Sequence, residues 1–148
     1  MVSVLLPERA EAVRDLIGRY AEAADRGRAA DLAALFLPAG VLEVRGESFD
    51  AGRHVGREAI TARIAASAGT AVAVGTIRHH VSSLRMRSLG DGEVRADSYF
   101  LAVTSIGPDH WGRYRDRIDF ATGRPLFAHR EVVHEGFAEG SWLARMNG

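Results

Sequence analysis

The sequence predicts an α+β protein in which helices come first and a sheet follows. Apolar residues recur at three- and four-residue steps between Val13 and Ala24, as they do along one face of an α-helix. In the second half, extended stretches alternate with turn signals such as Leu89-Gly90-Asp91-Gly92, which is typical of strands joined by hairpins. A bent sheet that wraps the N-terminal helices would enclose a cavity, and cavities of this kind bind small molecules.

Composition excludes several classes of protein. The 148 residues are 47% hydrophobic and 26% charged, which suits a single soluble domain over residues 1–148. Nineteen basic residues balance nineteen acidic ones, so neither nucleic acid nor an anionic membrane is an expected partner. Cysteine is absent, which excludes disulfides, thiolate nucleophiles and cysteine metal sites. The start does not resemble a signal peptide and no apolar run has membrane-spanning length, so we expect a cytoplasmic protein.

Three helices are expected in the first half of the chain. Pro7 suits the first turn of a helix, and the acidic residues after it are favoured near a helix N-terminus. Ile60 and Ile64 lie four apart among alanines, which favours another helix with Gly69 as its stop signal. The predicted helices are about Glu8 to Asp25, about Ala29 to Leu37 with a stop at Pro38-Ala39-Gly40, and Arg57 to Ser67.

The remaining stretches are predicted as strands, turns and a tail. Val41 to Arg45 alternates in polarity and indicates a strand, whereas the glycines from Gly46 to Gly56 indicate a loop. Ala71 to Gly75 fits either a loop or a strand. Residues 136–148 show no clear period, so we expect a partly disordered tail. Four further strands are predicted at Thr76–Ser88, Glu93–Ser105, His110–Phe120 and Leu126–His134.

Asp25 occupies an unusual place at the end of the first predicted helix. A carboxylate in the last helical turn faces the negative end of the helix dipole, which costs up to about 1 kcal/mol. We interpret Asp25 as a carboxylate that works in a pocket, which would repay this cost. A solvated helix end, or a cap of the next helix, is the alternative that spacing alone favours.

The histidines supply a possible partner for this carboxylate. None of the six forms a metal pattern such as HExxH, and the neighbours His79 and His80 point to opposite faces of a strand, so no metal site is expected. The sequence lacks GxSxG, P-loop and GxGxxG motifs, so neither a hydrolase triad nor a nucleotide cofactor is expected. An imidazole oriented by a buried aspartate remains, although either histidine could be a strand residue satisfied by a neighbour. The other histidines, His54, His110, His129 and His134, are scattered along the chain.

Several short motifs occur in an order that resembles a known family. They are RYAEAADRGRAADLAALF, GREAI, RHHVSSLRM, DGEVRADSYFLAV, GRYRDRI and FAHREV, and they span about residues 8–135. In this order they resemble the SnoaL-like branch of the nuclear transport factor 2-like superfamily, in particular its scytalone dehydratase and lindane dehydrochlorinase members. The resemblance implies a cone-shaped α+β barrel, in which a curved, mostly antiparallel sheet wraps three N-terminal helices around a deep pocket.

The resemblance also implies roles for individual residues. Asp25 and His79 match the aspartate and histidine that form a base dyad in the dehydratase-like members, and His80 is the fallback because strand parity does not decide between the two. Tyr20 falls where lindane dehydrochlorinase has a lysine, and Arg130 in AHRE matches its arginine. The remaining aromatic residues are expected in the core or the pocket wall, namely Tyr99, Trp111, Tyr114 and Phe127.

The expected activity is that of a lyase or isomerase without a cofactor, of the dehydratase or cyclase type. It would act on a small hydrophobic organic molecule by acid/base chemistry of the Asp25–His79 pair. A non-catalytic ligand-binding or assembly module on the same fold, such as the small subunit of a ring-hydroxylating dioxygenase, is the alternative. An open sheet face carrying strands such as YFLAV favours a homodimer.

Overall fold

The computed structural model describes residues 3–48, 51–73 and 76–147, which form helices packed on one mixed sheet. The helices are α1 (Pro7–Asp25), α2 (Ala29–Ala33), α3 (Arg57–Ala73) and α4 (Trp142–Asn147). The strands are β1 (Phe36–Gly46), β2 (Gly52–Val55), β3 (Arg78–Gly90), β4 (Glu93–Thr104), β5 (Gly107–Asp119) and β6 (Leu126–Phe137).

The sheet has the order β2-β1-β6-β5-β4-β3. Every neighbouring pair is antiparallel except β1 and β6, which are parallel. The predicted α+β class with a curved, mostly antiparallel sheet is therefore confirmed. The cone is not a closed barrel, however, because β2 and β3 form the two edges of the sheet described here.

The core lies between α1 and the inner face of the sheet. Val13, Leu16 and Ile17 of the predicted apolar helix face are all at least 96% buried. They belong to the same packed cluster as Phe100 of β4 and Ile118 of β5. Burial alternates along β4 and β5, so every second side chain of these strands points toward the helices. This alternation decides which polar residues reach the interior.

The second helix is shorter than predicted. It ends at Ala33, and by Phe36 the chain has entered β1, where Phe36 pairs with Phe127 of β6. The apolar run before Pro38 fits a helix or a buried strand equally well, and pairing with β6 decides for the strand. Pro38 lies where the register between β1 and β6 shifts, a place where a strand tolerates proline.

Three further boundaries differ from the predictions. Part of the predicted Gly46–Gly56 loop is the short edge strand β2, while residues 49 and 50 lie outside the described residues. Helix α3 continues to Ala73, so the predicted end at Ser67 and the stop signal at Gly69 are wrong. Residues 74 and 75 are again not described. The tail at 136–148 contains the end of β6 and all of α4, because Trp142 and Leu143 bury their side chains.

Candidate active site

The end of α1 and the start of β3 bring Asp25 and His79 together. The Oδ1 atom of Asp25 lies 2.6 Å from Nδ1 of His79, and the backbone N–H of His79 donates to both carboxylate oxygens at 3.1 and 3.2 Å. The side chains are 9% and 16% exposed, respectively. These hydrogen bonds offset the unfavourable position of a carboxylate at a helix C-terminus. Because a carboxylate only accepts, Nδ1 carries the proton, and Nε2 of a neutral His79 ring has the free lone pair.

Strand direction separates the two neighbouring histidines. His79 faces the same side as Val81 of β3 and Ile77 just before the strand, and these two residues are packed on the core or buried. His80 is exposed on the opposite face. The fallback assignment to His80 therefore has no support in the geometry.

A cavity of about 90 Å³ lies between α1, α3, α4 and the inner face of the sheet. Its apolar walls include Leu42, Phe100 and Leu143. The volume matches about three water molecules and is well below the roughly 300 Å³ at which ordinary ligand pockets begin. Polar groups of several elements border it, namely Tyr20, Arg63, His79, His110, Tyr114 and His134.

Asp109 fixes the C-terminal side of this cavity. The Asp109 carboxylate is fully buried and accepts hydrogen bonds from the backbone N–H of Trp142 at 3.0 and 3.2 Å and from the Thr104 hydroxyl at 2.9 Å. It also accepts from Nδ1 of His110 at 2.8 Å. Burial raises the pKa of Asp109, but the hydrogen bonds from His110, Trp142 and Thr104 more than offset this and keep its pKa below the usual value. The ionised carboxylate thereby anchors α4 over the cavity.

His110 and His134 add two imidazoles beside His79. The ring centroid of His110 lies 6.1 Å from that of His79 and 5.7 Å from that of His134. Burial lowers the pKa of His110, although the hydrogen bond to Asp109 opposes this. Burial, with the positive charges of His110, Arg63 and His79, lowers the pKa of His134 to about 3, so this ring is neutral near pH 7. Its Nδ1 atom is buried without a hydrogen-bond partner among the described residues.

Arg130 is placed behind the cavity wall and not inside it. Its guanidinium is fully buried and donates to Asp116 through Nε at 2.8 Å and Nη2 at 3.0 Å. It lies 3.7 Å from the ring centroid of Tyr114, 4.1 Å from that of Tyr20 and 4.6 Å from that of Phe127. Burial alone would lower the pKa of Arg130, but Asp116 more than offsets this and raises it. Arg130 therefore holds the two tyrosines in place and does not reach a ligand directly.

The predicted pocket wall is only partly correct. Tyr114 borders the cavity, and burial raises the pKa of its phenol despite the nearby Arg130, so the hydroxyl stays protonated. Tyr99 and Trp111 instead lie on the outer face of the sheet, 58% and 39% exposed, and Phe127 lies in the core beneath Arg130. Tyr99 and Trp111 occupy strand positions of opposite parity to Phe100 and Tyr114, so the two-residue period of a strand already argued against a shared wall.

Sequence reasoning did not assign Arg63, His110 and His134 to the site. His110 lies four residues before Tyr114 on β5, a spacing that places both on one strand face. Arg63 lies three residues after Ile60, so a helical period places it beside the core-facing residues of α3. For Trp142, at the start of a six-residue helix, the sequence carries no comparable periodic signal.

Comparisons with known proteins identify the family to which the chain belongs. The model of the SnoaL-like domain matches residues 7–131, and the chain belongs to this family. No curated protein matches the chain in sequence. Within the described ranges, no group of three or more potential ligands could hold a metal ion. None of the helices described here has the length and apolar character needed to cross a bilayer.

Solved structures of similar fold carry different names. Aln2 from a Streptomyces species is 20% identical with a TM-score of 0.76, covering 89% of this chain and 94% of its own. A proposed scytalone dehydratase from Novosphingobium aromaticivorans is 20% identical with a TM-score of 0.71, covering 87% and 85%. The β subunit of a proposed aromatic-ring-hydroxylating dioxygenase from the same organism is 17% identical with a TM-score of 0.66, covering 86% and 90%. At these identities the likeness shows the shared fold alone.

Proposed function

We propose that the protein is a lyase or isomerase that works without a cofactor and moves a proton on a small organic molecule through the Asp25–His79 pair. The observation that carries this proposal is the 2.6 Å contact between the Asp25 carboxylate and His79 Nδ1 at the wall of a cavity. A carboxylate in this position fixes the tautomer of the imidazole and stabilises its protonated form.

The proposed step begins with proton removal from a carbon atom next to a carbonyl group. The lone pair on Nε2 of His79 accepts this proton, and Asp25 stabilises the imidazolium that forms. Negative charge develops on the carbonyl oxygen, and the Tyr20 and Tyr114 hydroxyls and the Arg63 guanidinium at the cavity wall are the donors available to it. Arg130 contributes by holding both tyrosine rings.

The narrow cavity guides the choice of a test compound. 4-Hydroxybutan-2-one is small, and its C3 protons lie between a carbonyl and a carbon that bears a hydroxyl group. In D2O we expect the wild-type protein to exchange C3 protons for deuterium, as measured by 1H NMR, and the His79→Asn variant to lose this exchange. The His80→Asn variant is the matched control and should behave as wild type, because His80 is exposed on the other strand face. Absence of exchange with wild type, or full exchange with His79→Asn, contradicts the proposal.

A binding or assembly module is the second candidate, and the small cavity volume favours it. Trp142 and Leu143 occupy space that a larger ligand would need. If this candidate holds, small ketones would bind to the cavity with a measurable dissociation constant, yet all variants would show equal, background exchange.

We also propose that the outer face of the sheet pairs with a second copy of the chain. Tyr99 and Trp111 expose apolar rings there, on strands β4 and β5. The Trp111 ring lies against Gly136 of β6, where an added Cβ would come within 2.6 Å of its ring nitrogen, so the exposed ring is seated on the sheet by a residue without a side chain. Light scattering should give the mass of a dimer at micromolar concentration, and Tyr99→Arg should shift it toward monomer. A monomer at every concentration tested contradicts this proposal.

A further inference from the structure

Arg63 brings a permanent positive charge to the wall of the cavity. It lies on α3 between Ile60 and Ile64, whose side chains are buried, and its own side chain borders the cavity. Among the described residues that line the cavity, Arg63 alone has a side chain that is charged at every physiological pH, because a guanidinium does not lose its proton in proteins. The side of the cavity formed by α3 is therefore positive.

The carboxylates near the cavity lie behind its wall. Asp25 and Asp109 each accept a hydrogen bond from Nδ1 of a histidine ring that lines the cavity, and further N–H or O–H groups donate to both carboxylates. Asp116 is paired with Arg130 behind the two tyrosines. None of these three aspartates belongs to the described lining of the cavity. The permanent charge that a ligand meets at the wall is therefore that of a cation, which favours an anionic ligand.

Burial withdraws the Arg63 charge from water. Burial lowers the pKa of Arg63, while Tyr20 and Tyr114 oppose this. The charge also acts across the cavity on His134, whose pKa is lowered by burial, by a charge on His110 and then by Arg63. A negative group placed beside Arg63 would stabilise this partly desolvated cation, since an opposite charge within a few ångströms favours the charged form.

The donors and the size of the cavity match a carboxylate. A guanidinium presents two N–H groups in a planar fork that fits the two oxygens of a carboxylate. His134 borders the same cavity, and its buried Nδ1 has no hydrogen-bond partner among the described residues, so it can also bind a polar ligand atom. The volume of about 90 Å³ leaves room for a carboxylate joined to only a few other atoms. A ketone that is held here together with a carboxylate is therefore expected to be bonded directly to it.

We propose that Arg63 binds the carboxylate of a small 2-oxo acid, so that the ketone oxygen meets the hydroxyls of Tyr20 and Tyr114 and the neighbouring C–H bonds meet His79. The proposal rests on the function proposed above and names its substrate class. Nε2 of His79 takes a proton from the carbon next to the ketone, the electron pair of that C–H bond forms a C=C bond, and the π electrons of the C=O bond move to oxygen. Return of a proton from the imidazolium to the same carbon completes the exchange, so no further reactant is needed.

A comparison of a charged and a neutral ketone tests the role of Arg63. Pyruvate and pyruvamide have the same number of non-hydrogen atoms and the same methyl ketone, but only pyruvate is an anion. Exchange of the methyl protons in D2O, followed by 1H NMR and corrected for exchange without protein, gives kcat/KM for each compound. We expect wild type to prefer pyruvate, and Arg63→Met to lower the ratio of the two kcat/KM values about 10- to 100-fold, because a hydrogen-bonded ion pair is lost.

The ratio makes this test independent of the amount of folded protein. Arg14→Met, which removes a half-exposed arginine of α1, is the matched control and should keep the wild-type ratio. The same ratio in Arg63→Met and in wild type overturns the proposal.

The second measurement does not depend on turnover. The Nε–H signal of Arg63 in 1H–15N NMR spectra is identified by its absence in Arg63→Met. Sodium acetate should shift this signal with a saturable dependence on concentration, whereas acetamide, or sodium chloride at the same ionic strength, should not. A shift that chloride reproduces, or no shift with acetate, overturns the carboxylate site.

The two measurements separate the two proposals. If wild type exchanges the C3 protons of 4-hydroxybutan-2-one but neither prefers pyruvate nor shows the acetate shift, the function proposed above stands and the carboxylate site fails. If wild type exchanges the protons of none of these ketones while acetate still shifts the Arg63 signal, the proposed function fails and the carboxylate site stands.

Discussion

Two aspartate pairs sit close together on the inner side of this sheet, and their surroundings differ. Asp116 and Arg130 are fully buried and form two hydrogen bonds, and the Arg130 guanidinium lies against aromatic rings. The side chains of Asp25 and His79 share one short hydrogen bond, and the imidazole borders a cavity. Both pairs join an acid to a base, but only the second can give or take a proton at a ligand. The difference separates a pair that supports the fold from a pair suited to chemistry.

The tyrosines connect the two pairs. Tyr20 and Tyr114 border the cavity, and the guanidinium of Arg130 lies close to both of their rings. Cation–π contacts in a buried setting stabilise such an arrangement by about 2 kcal/mol or more. Arg130 is therefore coupled to the site through the tyrosine rings, although it does not line the cavity.

Asp25→Asn should give the largest effect on turnover. The amide still fills the space but no longer supplies the charge that stabilises the His79 imidazolium. We expect kcat to fall about 10²- to 10⁴-fold with little change in KM, measured as C3 exchange of 4-hydroxybutan-2-one. Asp15→Asn, on the exposed face of the same helix, is the control and should keep wild-type turnover. Equal turnover in both variants argues against the pair.

Arg130→Met should give the largest effect on stability. Loss of the guanidinium leaves the Asp116 carboxylate buried without its ion partner, which costs about 3–5 kcal/mol in free energy of unfolding. Urea unfolding followed by tryptophan fluorescence measures this cost.

A double variant that removes both charges shows why Arg130→Met loses stability. The double variant Arg130→Met/Asp116→Leu should recover most of the lost stability, because no unpaired charge stays buried. If the double variant is as unstable as Arg130→Met alone, the packing of the guanidinium against the rings, and not the ion pair, dominates.

Acid should weaken the fold partly through His134. The pKa of His134 is about 3 in the folded state and near 6.5 in the unfolded chain, so below pH 6.5 the unfolded state binds more protons. Its contribution is fully present above pH 6.5 and is lost as the pH falls toward 3, at no more than about 1.4 kcal/mol per pH unit. In His134→Gln, the free energy of unfolding should therefore depend less steeply on pH between 6.5 and 4. An identical slope in wild type and variant contradicts the burial of a neutral ring.

The surface ion pair of α1 should give the smallest effect. Asp15 and Arg19 lie 2.6 Å apart, but both side chains are about two-thirds exposed. Asp15→Asn should change the free energy of unfolding only slightly, because water screens an exposed pair, and 0.5 M salt should remove the difference from wild type. A cost close to that of Arg130→Met would mean that burial is not what distinguishes the pairs.

The sequence predicts the part of this molecule that follows from periodicity. The apolar face of α1 and the meander from β3 to β6 follow from helix and strand periods. The placement of Asp25 beside His79 was instead predicted from the resemblance to the SnoaL-like branch, because strand parity did not decide between His79 and His80. The end of α2 could not be predicted, because Phe36 suits a helix and a strand equally well until β6 is present to pair with it.

The part of the site that was not predicted depends on contacts distant in sequence. Arginine side chains often bind ligands, but the Arg130 side chain points into the core because it pairs with Asp116 on the neighbouring strand β5. The role of Asp109 depends on hydrogen bonds from the backbone N–H of Trp142 in α4, a residue distant from Asp109 in the sequence. Each contact joins residues that are distant in sequence, so no local sequence pattern predicts it.

The central claim concerns an imidazole whose Nδ1–H is held by Asp25 and whose Nε2 faces a ligand. Long-range 1H–15N NMR of 15N-labelled protein reports which ring nitrogen of His79 carries the proton. The account predicts a protonated Nδ1 and an unprotonated Nε2 for the neutral ring in wild type, and loss of this preference in Asp25→Asn. A neutral His79 that carries its proton on Nε2 in wild type, or one whose tautomer is unchanged in Asp25→Asn, would contradict the account.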